Sequence, residues 1–265
     1  MAMGHSLTAA VFIFFLGSVA SAEVRTREVI YEAGGVDLKG FLAWDDEGKG
    51  LRPGVLVVHE WWGVNDYVRM RAKKLAEMGY IALAVDMYGD GKHVDQPEDA
   101  RKLSTAAMAN LTTARKRFEA ALTVLNRRKE KDPQKTAAIG YCFGGGVVLQ
   151  MARLGVDLKG VASFHGSLDT KVKAVPGKVK ARVLICNGEA DPLVTEPSIQ
   201  GFREEMKNAG VGYDFINYPN AKHAFTNPDA TALGEKFNLP IAYQKDADED
   251  SWKRLRDFLA EVFAE

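Results

Sequence analysis

Two apolar pentapeptides, Gly54-Val55-Leu56-Val57-Val58 and Ile81-Ala82-Leu83-Ala84-Val85, stand on either side of a stretch with helical periodicity. A strand with one wet face alternates apolar and polar residues. A run without any polar residue belongs in a sheet covered on both faces, and such sheets are mostly parallel. Between the two runs, Asn65 or Asp66 can cap a helix on which Val68, Ala72, Leu75 and Ala76 share one face, with Gly79 at its end. Strand, crossover helix and parallel strand are therefore written into the first third of the chain. The alternation continues. Ala100, Leu103, Ala107, Leu111, Ala114, Phe118 and Leu125 step by helical intervals through a long region, in one piece or two. Thr136 to Gly140 is a short strand, followed by a helix carrying Val147, Val148 and Met151. Val161 to Phe164, Arg182 to Cys186 and Tyr213 to Tyr218 are further strands. Helices are expected around Phe202 to Ala209 and through Trp252, Leu255, Leu259 and Val262. Only Glu23 to Leu42 breaks the pattern: Val29 and Tyr31, then Gly34-Gly35, then Val36 and Leu38 predict an antiparallel hairpin. The fold class is α/β, a mostly parallel central sheet with helices on both faces.

Lys plus Arg and Asp plus Glu each number 35, so the net charge is zero and no surface field favours a phosphate backbone. Nucleic acid is excluded as a partner on that ground. With 46% hydrophobic residues, no repeat and no low-complexity linker, residues 23–265 are expected to form one domain. The first 22 residues hold no Asp, Glu, Lys or Arg. A largely apolar stretch from Leu7 to Val19 and the small residues Ala20-Ser21-Ala22 lead up to Glu23, the pattern of a cleaved secretory signal peptide. The expectation is an exported protein, periplasmic or secreted, with no stable membrane insertion after cleavage. The apolar run is shorter than the ~20 residues a spanning helix needs.

Chemistry enters at Gly140-Tyr141-Cys142-Phe143-Gly144, directly after a strand and directly before a helix that opens with Gly145-Gly146. A nucleophile at such an elbow sits on a turn so tight that flanking side chains would collide with strand and helix, which is why glycine flanks it. The helix N-terminus behind it stabilises negative charge on sulfur. Asp191 follows 49 residues later in a loop after a strand, and His223 comes 32 residues after that in the loop beyond Tyr218. Nucleophile, acid and histidine in that order, each at a strand's carboxyl end, is the α/β-hydrolase arrangement.

The chain resembles the dienelactone hydrolase family of α/β-hydrolases from about Glu28 to Phe263. The resemblance is carried by His59-Glu60-Trp61-Trp62-Gly63-Val64-Asn65, Gly79-Tyr80, Asp86-Met87-Tyr88-Gly89, the Gly-Tyr-Cys-Phe-Gly-Gly-Gly segment and His223-Ala224-Phe225. It implies a Cys142, Asp191 and His223 triad and a Glu60 carboxylate hydrogen-bonded to the resting thiol. It also implies an oxyanion hole from the backbone N–H groups of Trp61 and Phe143. Members that degrade aromatic compounds bind a substrate carboxylate with arginines, one of them four residues after the histidine. That place holds Asn227 here, and Arg101 is a candidate for the other or a plain surface arginine.

The implied reaction is hydrolysis of a small ester or lactone through an acyl-enzyme on Cys142, with no cofactor and no metal. Trp62, Tyr88 and Phe225 are expected to contact substrate, beside Trp61 and Phe143. His59 and His165 are expected to be structural. Glu60 could instead be a strand-end acid paired with Arg69 or Arg71. The partner is a small molecule, and the protein a monomer or small homo-oligomer. Two other readings stay open, a thiol protein pairing Cys142 with Cys186 and an idle fold used for binding.

Overall fold

The computed structural model describes residues 23–170 and 172–264; the proposed leader lies outside them. The hairpin comes first. β1 (Val24–Ala33) and β2 (Val36–Asp45) pair antiparallel throughout, joined by Gly34 and Gly35 at φ 66° and 77°. Two consecutive positive φ values match the right-handed twist of a two-residue hairpin, and glycine adopts them without steric cost.

The all-apolar runs are β3 (Arg52–Val58) and β4 (Ile81–Val85), paired parallel and joined through α1 (Asp66–Glu77). Asn65 caps α1 by accepting from the Val68 N–H at 3.4 Å. The long helical region is two helices, α2 (Pro97–Ala109) and α3 (Leu111–Asn126). The break falls at Asn110, which leaves helical geometry so that its side chain can cap α3 at the Thr113 N–H. Then follow β5 (Lys131–Tyr141), α4 (Phe143–Arg153), β6 (Gly160–Phe164), β7 (Arg182–Gly188), α5 (Glu196–Ala209) and β8 (Tyr213–Tyr218). α6 (Ala230–Phe237) and α7 (Lys245–Ala264) close the chain.

The eight strands run in the order β1-β2-β4-β3-β5-β6-β7-β8, antiparallel in the β1-β2 and β2-β4 pairs and parallel from β4 to β8. The apolar runs are explained by where their side chains go. Leu56 and Val58 join a core with Phe118 and Leu125 of α3, Val147 and Met151 of α4 and Phe202 of α5. Val55 and Val57 join the opposite core with Val68 and Leu75 of α1 and Leu255 and Leu259 of α7. Both faces are dry, so no position in the run tolerates a polar side chain. Among the described residues, no helix is long and apolar enough to cross a membrane. α6 was not expected: it has eight residues and a glycine in its last turn, too little periodicity to register.

Candidate active site

Apart from Arg101, the functional candidates lie in the loops and turns that follow the carboxyl ends of the parallel strands. Cys142 occupies the turn between β5 and α4 at φ 52° and ψ −116°, a combination that costs any residue with a Cβ. Three glycines make the turn possible. A Cβ on Gly140 would lie 2.1 Å from the Gly144 carbonyl oxygen, and one on Gly144 would lie 2.3 Å from that of Val58. On Gly145 it would lie 2.5 Å from Ser163 Oγ. The turn is also held from β6, because the Cys142 N–H donates to the Phe164 carbonyl at 3.0 Å and to His165 Nδ1 at 3.1 Å.

His165 is structural, as expected, and it braces this turn. Its Nδ1 accepts, so its proton sits on Nε2, which donates to Thr226 Oγ1 at 2.7 Å. Burial keeps its pKa well below the usual histidine value, so the ring stays neutral. Thr226 in turn shares a 2.6 Å hydrogen bond with Tyr67. Arg71 contacts the Tyr67 hydroxyl and the Thr226 carbonyl, and pairs with Asp248 of α7 at 2.5 Å. A buried polar chain thus links the elbow to α1, α7 and the loop carrying His223. No local motif announces it.

His223 lies in the loop after β8 and is 7% exposed; its Nδ1 is 2.7 Å from Asp191 Oδ2. The other Asp191 oxygen accepts from the Leu193 N–H at 2.8 Å. Both carboxylate oxygens are therefore occupied, which fixes the carboxylate and with it the imidazole. Burial alone would lower the His223 pKa. The nearby Cys142 sulfur and the hydrogen bond donated to Asp191 outweigh it and hold the pKa well above the ordinary value. Among the described residues, Nε2 is buried without a hydrogen-bond partner. Ala224, next in the chain, is also left-handed at φ 59°.

Glu60 follows β3 and is 3% exposed. Burial pushes its carboxyl up to about 7, against the lowering effect of a 2.7 Å hydrogen bond from Asn227 Nδ2. The implied hydrogen bond from the Cys142 thiol is not made here; among the described residues the Glu60 carboxylate accepts only from Asn227. The alternative ion pairs are also not made, since Arg71 turns to Asp248 and Arg69 to Asp66. Asn227, noted in the sequence for what it replaced, is the partner of Glu60.

Glu60, Cys142 and His223 line one cavity of about 230 Å³ together with Trp61 and Trp62. Trp61, Phe143, Cys142 and His223 line a second cleft on the other side of the sulfur. The backbone N–H groups of Trp61 and Phe143 donate to no group among the described residues, as a pair reserved for a ligand oxygen would. Two of the expected substrate contacts are placed elsewhere. Phe225 is fully buried between His165 and Tyr218, at centroid distances of 5.3 and 5.2 Å. Tyr88 packs edge-on against His59 and tilted against Phe143 and donates to the Trp61 carbonyl at 2.8 Å, so it braces the tryptophan loop instead of lining either cavity. His59 is buried and accepts from the Met87 N–H at 3.3 Å. Arg101 is exposed on α2 and lines neither cavity. Sequence reading missed the α6 side of the first cavity, formed by Ala230, Leu233 and Leu239 to Ile241.

Both cysteines are free thiols. Among the described residues, no group of three or more His, Cys, Asp or Glu is placed to hold a metal.

The chain is similar to known proteins over most of its length. The model of the dienelactone hydrolase family matches residues 38–263. A Saccharolobus solfataricus protein, provisionally named a carboxymethylenebutenolidase, is 28% identical over 89% of this chain and 98% of its own length. Among solved structures, m3DLH shares 37% identity and a TM-score of 0.84, covering 90% of this chain and 98% of its own. A dienelactone hydrolase-like promiscuous phosphotriesterase, P91, from metagenomic libraries shares 33% identity and a TM-score of 0.83 over the same shares.

Proposed function

The chain belongs to the dienelactone hydrolase family, and from that premise we propose that it cleaves a small ester or lactone through a Cys142 acyl-enzyme. The observation that carries this reading is the convergence of Cys142, His223 and the Asp191 carboxylate beside two uncommitted backbone N–H groups. His223, with its Nδ1 proton directed to Asp191, is placed to take the Cys142 proton on Nε2. The thiolate then adds to the carbonyl carbon, and the N–H groups of Trp61 and Phe143 receive the developing oxyanion. Each such donor is worth roughly 3 kcal/mol of barrier. Collapse expels the alcohol oxygen with the proton from His223, and water releases the acid by the same steps in reverse order.

Two features support Cys142 over Cys186 as the sulfur involved. Cys142 is partly exposed and borders both cavities, whereas burial pushes the Cys186 thiol up to about 12. Glu60 is assigned a supporting role: a buried carboxyl with pKa near 7 can switch ionisation as substrate displaces its surroundings.

The test is a panel of short-chain aryl esters and lactones, with rapid quenching and intact-mass measurement. The expected result is turnover with a transient acyl mass on the Cys142 peptide. A non-covalent mechanism, or an adduct on another residue, refutes the assignment. Export is part of the proposal, resting on residues 1–22: protein recovered from an outer compartment should begin at Glu23, and an intact Met1 there would overturn it.

A further inference from the structure

The two sides of the Cys142 sulfur are built from different materials. On one side is the chamber of about 230 Å³, walled by Trp62, Ala230, Leu233, Leu239, Pro240 and Ile241. It is larger than the ~150 Å³ cavity that holds a benzene ring in a protein core. Glu60, Asn227, His223 and Cys142 are its polar groups, and no lysine or arginine lines it. Asn227 is engaged at both ends: its Nδ2 donates one hydrogen bond to Glu60 at 2.7 Å and its Oδ1 accepts from the Asp229 N–H at 3.0 Å. The wall is preformed. A Cβ on Gly234 of α6 would lie 2.5 Å from the Ile241 carbonyl oxygen, so helix and segment pack backbone to backbone. Ala242 N–H donates to the His223 carbonyl at 3.1 Å, tying the same segment to the histidine loop.

On the other side is the cleft of about 310 Å³, more open to solvent. Ser104 and Thr105 of α2 and Ser167 bring hydroxyls to it. Leu193, 59% exposed, borders both spaces and forms the lip between them.

We propose, on the basis of the Cys142 hydrolase reading, that the substrate is an uncharged ester with an apolar acyl group. That group, an alkyl chain of about six carbons or one aromatic ring, fills the α6 chamber, and the alcohol lies in the hydroxyl-lined cleft. The order of chemical events sets this orientation. Thiolate addition forms the S–C bond and moves the carbonyl π pair to oxygen. Collapse breaks the C–O bond, and the alkoxide takes its proton from His223. The alcohol must then depart and a water molecule enter, and both need the open side. The acyl group stays bonded to sulfur until water, deprotonated by His223, adds to the thioester carbon and expels the thiolate. An enclosed apolar chamber suits the part that stays. Net charge on the acyl group is disfavoured, because a carboxylate would lose its hydration with no lysine or arginine in the lining and with Glu60 beside it.

The experiment is kcat/KM for p-nitrophenyl acetate, butyrate and hexanoate and for the mono-p-nitrophenyl ester of succinate. Each methylene buried in the chamber should add about fourfold, so hexanoate should exceed acetate by on the order of 10²-fold. The succinate monoester should fall at least 10²-fold below butyrate, its neutral counterpart of equal length. Leu233→Trp, which fills the chamber, should collapse the hexanoate-to-acetate ratio toward one. Leu233→Arg should raise the succinate-to-butyrate ratio at least tenfold. A flat or falling chain-length profile in the unaltered protein overturns the inference without any variant. So does a succinate monoester as good as butyrate, or a Leu233→Trp protein that changes alcohol selectivity instead of acyl selectivity. A Cys142 acyl adduct with a flat profile would defeat this inference alone; no turnover with any ester would defeat the hydrolase reading beneath it.

Discussion

The turn after β5 and the middle of β7 each carry one cysteine, and they give it opposite properties. Cys142 stands on a left-handed turn at a helix N-terminus, partly exposed, with His223 and two cavities beside it. Cys186 is a strand residue with no exposure, packed in the core with Phe225, Tyr218 and Leu255. Desolvation there raises its thiol to about 12, and the neighbouring Tyr218 only partly offsets it. The side chain is the same, so the difference teaches that access and charged neighbours decide what a thiol is free to do.

The sharpest way to break the comparison is Cys142→Ala. Loss of the proposed nucleophile should lower turnover by about 10⁵-fold or more, with little change in melting temperature. Cys142→Gly should be equally inactive yet more stable than Cys142→Ala, by about 1 kcal/mol, because glycine accepts φ 52° without strain. Residual turnover near the parent value in either protein would remove Cys142 from the mechanism. Next in size, Asp191→Asn should cost about 10³- to 10⁴-fold in kcat. An amide in that position favours the wrong His223 tautomer while leaving the 2.7 Å geometry nearly intact.

Glu60→Gln should lower turnover by about 10²-fold. Its stability effect has a definite sign. Burial raises the carboxyl from 4.5 to about 7, so the parent protein's stability falls as pH rises through that window, relative to a side chain that cannot ionise. The variant should therefore be about as stable as the parent near pH 4.5 and more stable above pH 7, by at most about 3 kcal/mol, as read from denaturant unfolding. A variant that melts lower than its parent at pH 8 would contradict the assigned direction. The smallest effect belongs to Cys186→Ala: turnover within about twofold of the parent, with a stability loss of roughly 1 kcal/mol from the small void. Equal inactivation in a folded Cys186→Ala protein would erase the contrast between the two thiols.

Much of the fold was legible because its signals are local. The apolar runs of β3 and β4, the Gly34-Gly35 hairpin and the α1 cap at Asn65 each reside within a few residues. Gly140 and Gly144 were readable as elbow glycines for the same reason. α6 was not legible, since eight residues with Gly234 among them carry little amphipathic pattern, and its wall exists only by packing against Ile241. Tyr88 and Phe225 sit next to site residues in the sequence and were expected to touch substrate. Their rings turn inward because His59, Phe143, His165 and Tyr218 offer them apolar contact there.

By itself the sequence determined the strand and helix order, the strained cysteine turn and which residue types were available for chemistry, because backbone sterics and hydrophobic periodicity act over a few residues. Tertiary structure decided the partnerships. Asn227 meets Glu60 across 167 residues, Thr226 meets Tyr67 across 159 and Asp248 meets Arg71 across 177. Each of these polar groups, once buried, must find a hydrogen-bond partner, and only the folded chain determines which one is within reach.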